Sequence, residues 1–303
     1  MKVNFVILLV VLMSVLVACS STPETTGKDA APIVFVSIVP QQYFVNRIAG
    51  DLVDARVMVE PGADPHTYEP KPSQMAALSD ALAYFAIDIE FEEAWLARFA
   101  DANPDMVIID TTEGIEKMPM LFEDSHEDEE EHLDDVDHDE DELDPHVWVS
   151  PALVKIQAQH MYDSLVEMLP EHEAVFTENF ITFVGEIDAL EADIEQALVG
   201  VTSRKFIVFH PSWGYFAAQF DLDMIPIEVG GTEPSAAELS MIIDEAREED
   251  IHVIFAQPEF STKSAETIAR EIDGEVILIS PLAYNWLENL QQVAQSMAEV
   301  LSQ

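Results

Sequence analysis

Three of the nine histidines lie in short motifs that suit them to binding a transition metal. They are His66, His146 and His210, and each has a proline next to it, which stiffens the backbone and helps to hold the imidazole in place. Neutral imidazole is a good ligand for zinc, copper and nickel, whereas manganese prefers oxygen ligands. A single histidine of this kind is better explained as a hydrogen-bonded loop residue. The three together predict a metal site, with zinc favoured.

The segments that must position these histidines alternate between strands and helices. Apolar, β-branched runs predict strands at 33–38, 56–59, 83–87, 106–110, 206–209, 224–227, 253–256 and 276–279. Helical spacing of apolar residues predicts helices at 42–50, 72–80, 92–100, 153–168, 173–198, 236–249, 264–272 and 287–302. This alternation predicts parallel α/β sheets. His66 and His210 follow predicted strands, at the edge where open parallel sheets bind ligands.

One predicted helix is much longer than the others. The helix predicted at 173–198, with an apolar stripe from Val175 to Leu198, has about 26 residues and a length of about 39 Å. Such a helix can cross two domains. We therefore predict an N-terminal α/β lobe at 33–169, a linking long helix at 170–200 and a C-terminal α/β lobe at 201–303.

An acidic segment at 123–144 interrupts the first lobe. It contains 15 acids, three histidines and no Lys or Arg, so it cannot bury enough apolar surface to fold, and we expect a disordered insert. Its histidines, His126, His132 and His138, recur every six residues. The tract either collects metal weakly or serves as a solvated spacer.

The acid excess extends beyond the insert. The formal net charge is −46. Of the 59 acidic residues, 44 lie outside the insert, where the chain has 13 basic residues. Such a charge excludes nucleic acid and an anionic membrane surface as partners. We expect a monomer.

The N-terminus predicts export. The apolar run at 5–17 is too short to span a bilayer and has the form of a secretory signal. It ends in Leu16-Val-Ala-Cys19, which resembles a bacterial lipobox and predicts that Cys19 carries the lipid anchor. We therefore predict a lipoprotein-type signal peptide at 1–19 and a flexible tether at 20–32, with the protein anchored to the cell membrane or periplasmic. The alternative is an ordinary secretion signal that contains a cysteine.

Four motifs carry a resemblance to a known family. They are Pro61-Gly-Ala-Asp-Pro-His66-Thr-Tyr-Glu-Pro, Asp144-Pro-His146-Val-Trp, His210-Pro-Ser-Trp-Gly-Tyr-Phe-Ala and Glu233-Pro-Ser. With these motifs, residues 33–303 resemble the zinc-binding, ZnuA-like receptors of ABC metal importers (cluster A-I solute-binding proteins). The resemblance implies two α/β lobes, each with a parallel sheet flanked by helices, joined by one long rigid helix, with the metal in the inter-lobe cleft. It assigns His66 and His146 to the first lobe and His210 to the second. Manganese-type relatives have a carboxylate at the position of His210, which again favours zinc.

One position departs from the family pattern. Many relatives have an aspartate as fourth ligand near the C-terminus, where this chain has Ser280 in Ile279-Ser-Pro-Leu. A neutral hydroxyl is a poor zinc ligand. The fourth position is then filled by water, by Asp64 or by Glu228, and the sequence leaves these alternatives open.

The resemblance implies high-affinity capture of Zn²⁺ outside the cytoplasmic membrane and delivery to a permease and its ATPase. Manganese or another divalent metal is the first alternative, and a metal-dependent surface adhesion or interaction protein is the second. A zinc hydrolase would need a general base beside the metal, and nothing in the sequence resembles His-Glu-x-x-His. We therefore expect no enzymatic activity.

Overall fold

The structure is a computed structural model that describes residues 30–120, 143–228 and 232–302. Four strands of the first half form a parallel sheet: β1 (Ile33–Val36), β2 (Asp54–Val57), β3 (Ala81–Ala86) and β4 (Val107–Asp110). Their order across the sheet is β2-β1-β3-β4. The helices of this half are α1 (Val39–Ala49), α2 (Pro72–Leu78), α3 (Glu90–Ala102) and α4 (Pro151–Met168).

The second half repeats this arrangement. Its strands are β5 (Lys205–Val208), β6 (Asp223–Pro226), β7 (Val253–Ala256) and β8 (Glu275–Leu278), in the order β6-β5-β7-β8. Its helices are α6 (Gly214–Gln219), α7 (Ala236–Glu248), α8 (Lys263–Glu271) and α9 (Trp286–Leu301). β7 is buried along its whole length, as expected for a parallel strand covered on both faces.

The long helix α5 (Glu173–Ala197) lies between the two halves and spans 25 residues. It packs against α1 and α4 of the first half and against α9 of the second. Its buried side chains follow helical spacing: Phe176, Phe183, Ile187, Leu190 and Ile194. The helix thus contributes to the core of both halves.

Two hydrophobic clusters form the core of the described residues. The larger one runs from the first sheet through α5 into α6 and α9, and includes Phe44, Phe183 and Trp286. The smaller one lies between the second sheet and the helices α7 and α8, and includes Ile207 and Ile268. Alternate residues of β5 belong to different clusters, because successive side chains of a strand point to opposite faces of the sheet.

The predicted fold class is confirmed. Both sheets are parallel and flanked by helices, and both sheets and α5 lie within the ranges predicted for the lobes and the linking helix. The lobe boundaries at 169 and 200 stay predictions. The short helix α6 was missed, because its six residues are too few to show a helical period. Within the described ranges, no helix is both long enough and apolar enough to cross a membrane.

Several predictions fall outside the described residues. These are the signal peptide, Cys19, most of the tether, and His126, His132 and His138. The predicted insert, 123–144, lies outside them except for Leu143 and Asp144. For these two the prediction of disorder is wrong: Leu143 pairs with Pro119 in an antiparallel bridge, and Asp144 is buried. Composition misplaced this boundary, because Asp144 continues the acidic run in sequence while its carboxylate belongs to the folded core.

Candidate metal centre

The three predicted histidines meet at the carboxyl ends of the strands. His66 lies in the loop after β2, His210 follows β5, and His146 precedes a 3₁₀ turn that leads into α4. The Nε2 atom of His210 is 3.1 Å from that of His66 and 3.2 Å from that of His146. Among the described residues, these three form the one group of potential metal-ligating side chains whose ligand atoms all lie within 4.8 Å of one another.

Each imidazole is held from behind by a carboxylate on its Nδ1 atom. Glu90 Oε2 is 2.7 Å from His66 Nδ1, Asp144 Oδ1 is 2.7 Å from His146 Nδ1, and Glu228 Oε2 is 2.5 Å from His210 Nδ1. An ionised carboxylate only accepts hydrogen bonds, so a carboxylate that faces Nδ1 favours the proton of a neutral ring on that atom. The Nε2 atoms therefore present their lone pairs to the centre, as is usual for metal-ligating histidines.

This arrangement fits a zinc ion. The lone pair of His210 faces those of His66 and His146 at 3.1 and 3.2 Å, and such lone pairs repel unless a cation lies between them. A tetrahedral zinc with Zn–N near 2.0–2.1 Å separates its nitrogens by about 3.3 Å. The observed separations are close to this value, so the three rings need little movement to bind the ion.

Burial and neighbouring charges shift the ionisation of the site. Burial, together with the nearby His146 and His66, holds the pKa of His210 well below its usual range, so this ring stays neutral. Burial also raises the pKa of Glu228 to about 7, with the charge of Asp64 acting in the same direction. Burial alone would lower the pKa of His66, but the hydrogen bond and charge of Glu90 outweigh it and raise that pKa. Four carboxyl groups thus lie around the three imidazoles. Their negative charge attracts cations to the site.

Glu90 is fixed by the turn between β3 and α3. The carboxylate of Glu92, which is 1% exposed, accepts hydrogen bonds from the N–H groups of Ile87, Asp88 and Ile89 at 2.7–3.3 Å, and one from the Ser37 hydroxyl. The backbone of Asp88 has φ of 58°, a conformation that non-glycine residues rarely adopt. Glu92 therefore stabilises the turn that presents Glu90 to His66.

His210 is held through its backbone by Gln257, which follows β7. The Gln257 side chain accepts from the His210 N–H at 3.1 Å and donates to the His210 carbonyl at 2.7 Å. The ring of Phe260 lies 4.6 Å from the His210 ring, centre to centre. His210 therefore lies between β5 and β7, the point where the strand order of the second sheet reverses.

Both carboxylates considered for the fourth position hold other groups. Asp64 accepts from the N–H of His66 and from the Thr67 hydroxyl, each at 2.9 Å. Glu228 directs an oxygen to Nδ1 of His210. Ser280 donates its hydroxyl to Glu259 at 2.6 Å and does not join the histidine group. Which group fills the fourth position stays a prediction.

Sequence reasoning missed Glu90 and Gln257, and placed Asp144 in the insert. Glu90 is 24 residues from His66 in sequence, and only the fold of the first sheet brings the two together. Asp144 did carry a local signal, since an aspartate two residues before a histidine can accept from its N–H, as it does here at 2.8 Å. Of the other described histidines, His160 and His252 bind backbone carbonyls of Glu113 and Ile272. His172 lies against the ring of Phe176, 5.9 Å away centre to centre.

Known proteins share this sequence pattern and fold. Residues 34–300 match the family described as ZnuA, zinc-uptake complex component A, periplasmic. The chain is 27% identical over 273 residues to the zinc-binding lipoprotein AdcA of Streptococcus pneumoniae, covering 88% of this chain and 52% of AdcA. It is 28% identical over 275 residues to the high-affinity zinc uptake system protein ZnuA of Bacillus subtilis, covering 88% and 85%.

Solved structures extend this similarity. A structure described as a ZnuA deletion mutant with zinc bound is 44% identical to this chain, with a TM-score of 0.82. The match covers 90% of this chain and 99% of that one. By contrast, the chain spans only about half the length of the AdcA relative, at 52%.

Proposed function

The chain belongs to the ZnuA family of zinc-uptake components, and from that membership we propose that it is the extracytoplasmic receptor of an ABC transporter, which captures Zn²⁺ and delivers it to the membrane permease. Zinc is the transported substrate in this proposal, and His66, His146 and His210 bind it. The observation that carries the proposal is the convergence of three Nε2 lone pairs, each oriented by a carboxylate on the opposite ring nitrogen.

The donor set supports zinc over manganese. Three imidazole nitrogens suit zinc, whereas manganese favours carboxylate, carbonyl and water oxygens. The carboxylates of Glu90, Asp144 and Glu228 direct oxygens at imidazole nitrogens, which increases the basicity of the rings. With Asp64 and Glu228 engaged elsewhere, we assign the fourth position to water.

Affinity measurements on the soluble domain, from Ala31 onward, test the site. We expect His66→Ala, His146→Ala and His210→Ala each to weaken Zn²⁺ binding in a chelator competition assay by at least about 100-fold, since each removes one of three protein ligands. His160→Ala is the matched control, because His160 binds the Glu113 carbonyl and should leave the affinity unchanged. Wild-type affinity in the three site variants would refute the proposed site.

Competition between metals tests the choice of ion. At fixed pH, Mn²⁺ should fail to displace Zn²⁺ at equal concentration. Effective displacement by Mn²⁺ would favour the manganese alternative.

The partners and the location complete the proposal. We infer that the protein acts as a monomer with a permease and its ATPase, and that lipid on Cys19 holds it at the outer side of the cytoplasmic membrane. Cys19→Ser should move the protein from the membrane fraction to the soluble fraction, and deletion of the protein should reduce zinc import. Normal zinc import after deletion would favour the adhesion alternative.

A further inference from the structure

The hydroxyl of Tyr215, on α6 of the second half, joins two segments of the first half. It accepts from the N–H of Met118 at 2.9 Å and donates to the carbonyl of Asp144 at 2.8 Å. These two segments also pair directly, through the N–H of Asp144 and the carbonyl of Met118 at 2.8 Å. Burial raises the pKa of Tyr215 to about 12, so its hydroxyl keeps the proton that it donates. One side chain of the second half therefore fixes the backbone of Asp144.

The neighbouring residue, Gly214, contacts the side chain of Asp144. A Cβ atom at position 214 would lie 2.8 Å from Asp144 Oδ2, a distance that real Cβ atoms essentially never show. The absence of a side chain at 214 thus allows the carboxylate to lie against the start of α6. Asp144 is 2% exposed, so it has no room to move away into solvent.

Asp144 is the residue that orients His146. Its Oδ1 atom accepts from the His146 N–H at 2.8 Å and from Nδ1 of the same ring at 2.7 Å. A displacement of the carboxylate would therefore change both the backbone and the ring of this histidine. His146 and Asp144 belong to the first half in sequence. Tyr215 and Gly214, which contact Asp144, belong to α6, which starts four residues after His210.

We propose that Tyr215 and Gly214 are positioning residues for metal capture, through which the second half of the chain holds Asp144 against His146. The inference rests on the proposed function, because it concerns affinity for the transported ion. If it is correct, both lobes contribute to the position of His146. The first lobe supplies His146, and the second lobe determines how firmly that ring is held.

The test uses two substitutions with matched controls. Tyr215→Phe removes the hydroxyl and keeps the ring, and Gly214→Ala forces the Asp144 carboxylate to move. Tyr162→Phe removes a hydroxyl that contacts Thr177 at 2.9 Å between α4 and α5, away from the site. Gly185→Ala adds a methyl group in α5 where nothing lies within 4 Å.

Two measurements are made on each variant: the Zn²⁺ dissociation constant by chelator competition, and the imidazole ¹⁵N and Nδ1–H signals of His146 in the metal-free protein. We expect Tyr215→Phe to weaken Zn²⁺ binding about tenfold, at the lower end of the range for loss of an outer partner of a ligand. Its His146 Nδ1–H should exchange faster with water. Gly214→Ala should have a larger effect in both measurements, and the controls should stay within about twofold of wild type in affinity.

Specific outcomes would overturn the inference. A lower melting temperature for Tyr215→Phe, with wild-type zinc affinity and an unchanged His146 signal, would show that the hydroxyl only stabilises the fold. If the wild-type protein bound no zinc, the proposed function would fail. The His146 signal of the metal-free protein would still decide whether Tyr215 positions Asp144.

Discussion

Replacing Glu90 by glutamine isolates the contribution of one carboxylate to zinc affinity. Glutamine keeps the size of the side chain and an oxygen that accepts from His66 Nδ1, so the substitution removes the charge and little else. Glu90 Oε2 is 2.7 Å from that nitrogen. One imidazole ring and one Zn–N bond of about 2 Å then place the carboxylate on the order of 6–7 Å from the bound ion.

The size of the effect follows from this distance. A unit negative charge attracts a divalent ion at about 6.5 Å by roughly 1 kcal/mol in water and roughly 5 kcal/mol at an effective dielectric constant of about 20. The Glu90 side chain is 32% exposed, so solvent screens it and the lower part of this range applies. We expect Glu90→Gln to weaken Zn²⁺ binding by roughly 10- to 100-fold, or about 1.4–2.7 kcal/mol.

The control is Glu93→Gln, which changes the net charge equally at an exposed position in the same helical turn. Titration calorimetry with a competing chelator, at two salt concentrations, measures both variants. An equal loss in both would show that long-range charge, and not the bond to His66, determines the affinity. Unchanged affinity in Glu90→Gln would refute the reasoning altogether.

Three further predictions concern stability and the fourth position. Burial raises the pKa of Glu92 to about 7, so the folded state holds this proton more tightly than the unfolded state, and its contribution is lost as pH rises from about 4.5 to above 7. Urea unfolding of wild type and Glu92→Gln across this pH range should therefore give free energies of unfolding whose difference changes by up to about 3 kcal/mol. A difference that stays constant with pH would contradict the raised pKa of Glu92. Because the formal net charge is −46, the melting temperature of the metal-free protein should rise between low salt and physiological ionic strength, and calorimetry that finds no rise would contradict dominant charge repulsion. Ser280→Ala should leave Zn²⁺ affinity within about twofold, since this hydroxyl binds Glu259, and a large loss in chelator competition would implicate Ser280 in the site.

Local patterns in the sequence predict most of the fold. Runs such as Ile33–Val36 and Val253–Ala256 identify strands because their apolar, β-branched residues are buried within the sheet. The stripe of α5 identifies the long helix because its period is sustained over many turns. His66 and His210 could be proposed as ligands because each follows a predicted strand.

The residues that hold the proposed ligands in place could not be predicted in the same way. Glu90 and Gln257 reach His66 and His210 only because parallel strands bring distant segments to one edge of a sheet. Composition placed Asp144 in the acidic insert because its residue type continues the acidic run. Its one local signal is the histidine two residues later, from whose N–H it accepts a hydrogen bond. Contacts between distant segments, such as that of Tyr215 with Asp144, leave no periodic pattern in the sequence from which they could be predicted.

The two hydrophobic clusters determine the order in which parts of the protein unfold. Because one cluster runs from the first sheet through α5 into α9, the lobes share their largest core and should unfold in one cooperative transition. The cluster beneath α7 and α8 is separate and smaller, so this layer should open first under native conditions. Hydrogen exchange should then find a lower opening free energy for amides of α7 and α8 than for those of α5. Glu228 directly follows Ile227 of that smaller cluster, so we expect such an opening to loosen the support of His210 and to speed release of the ion.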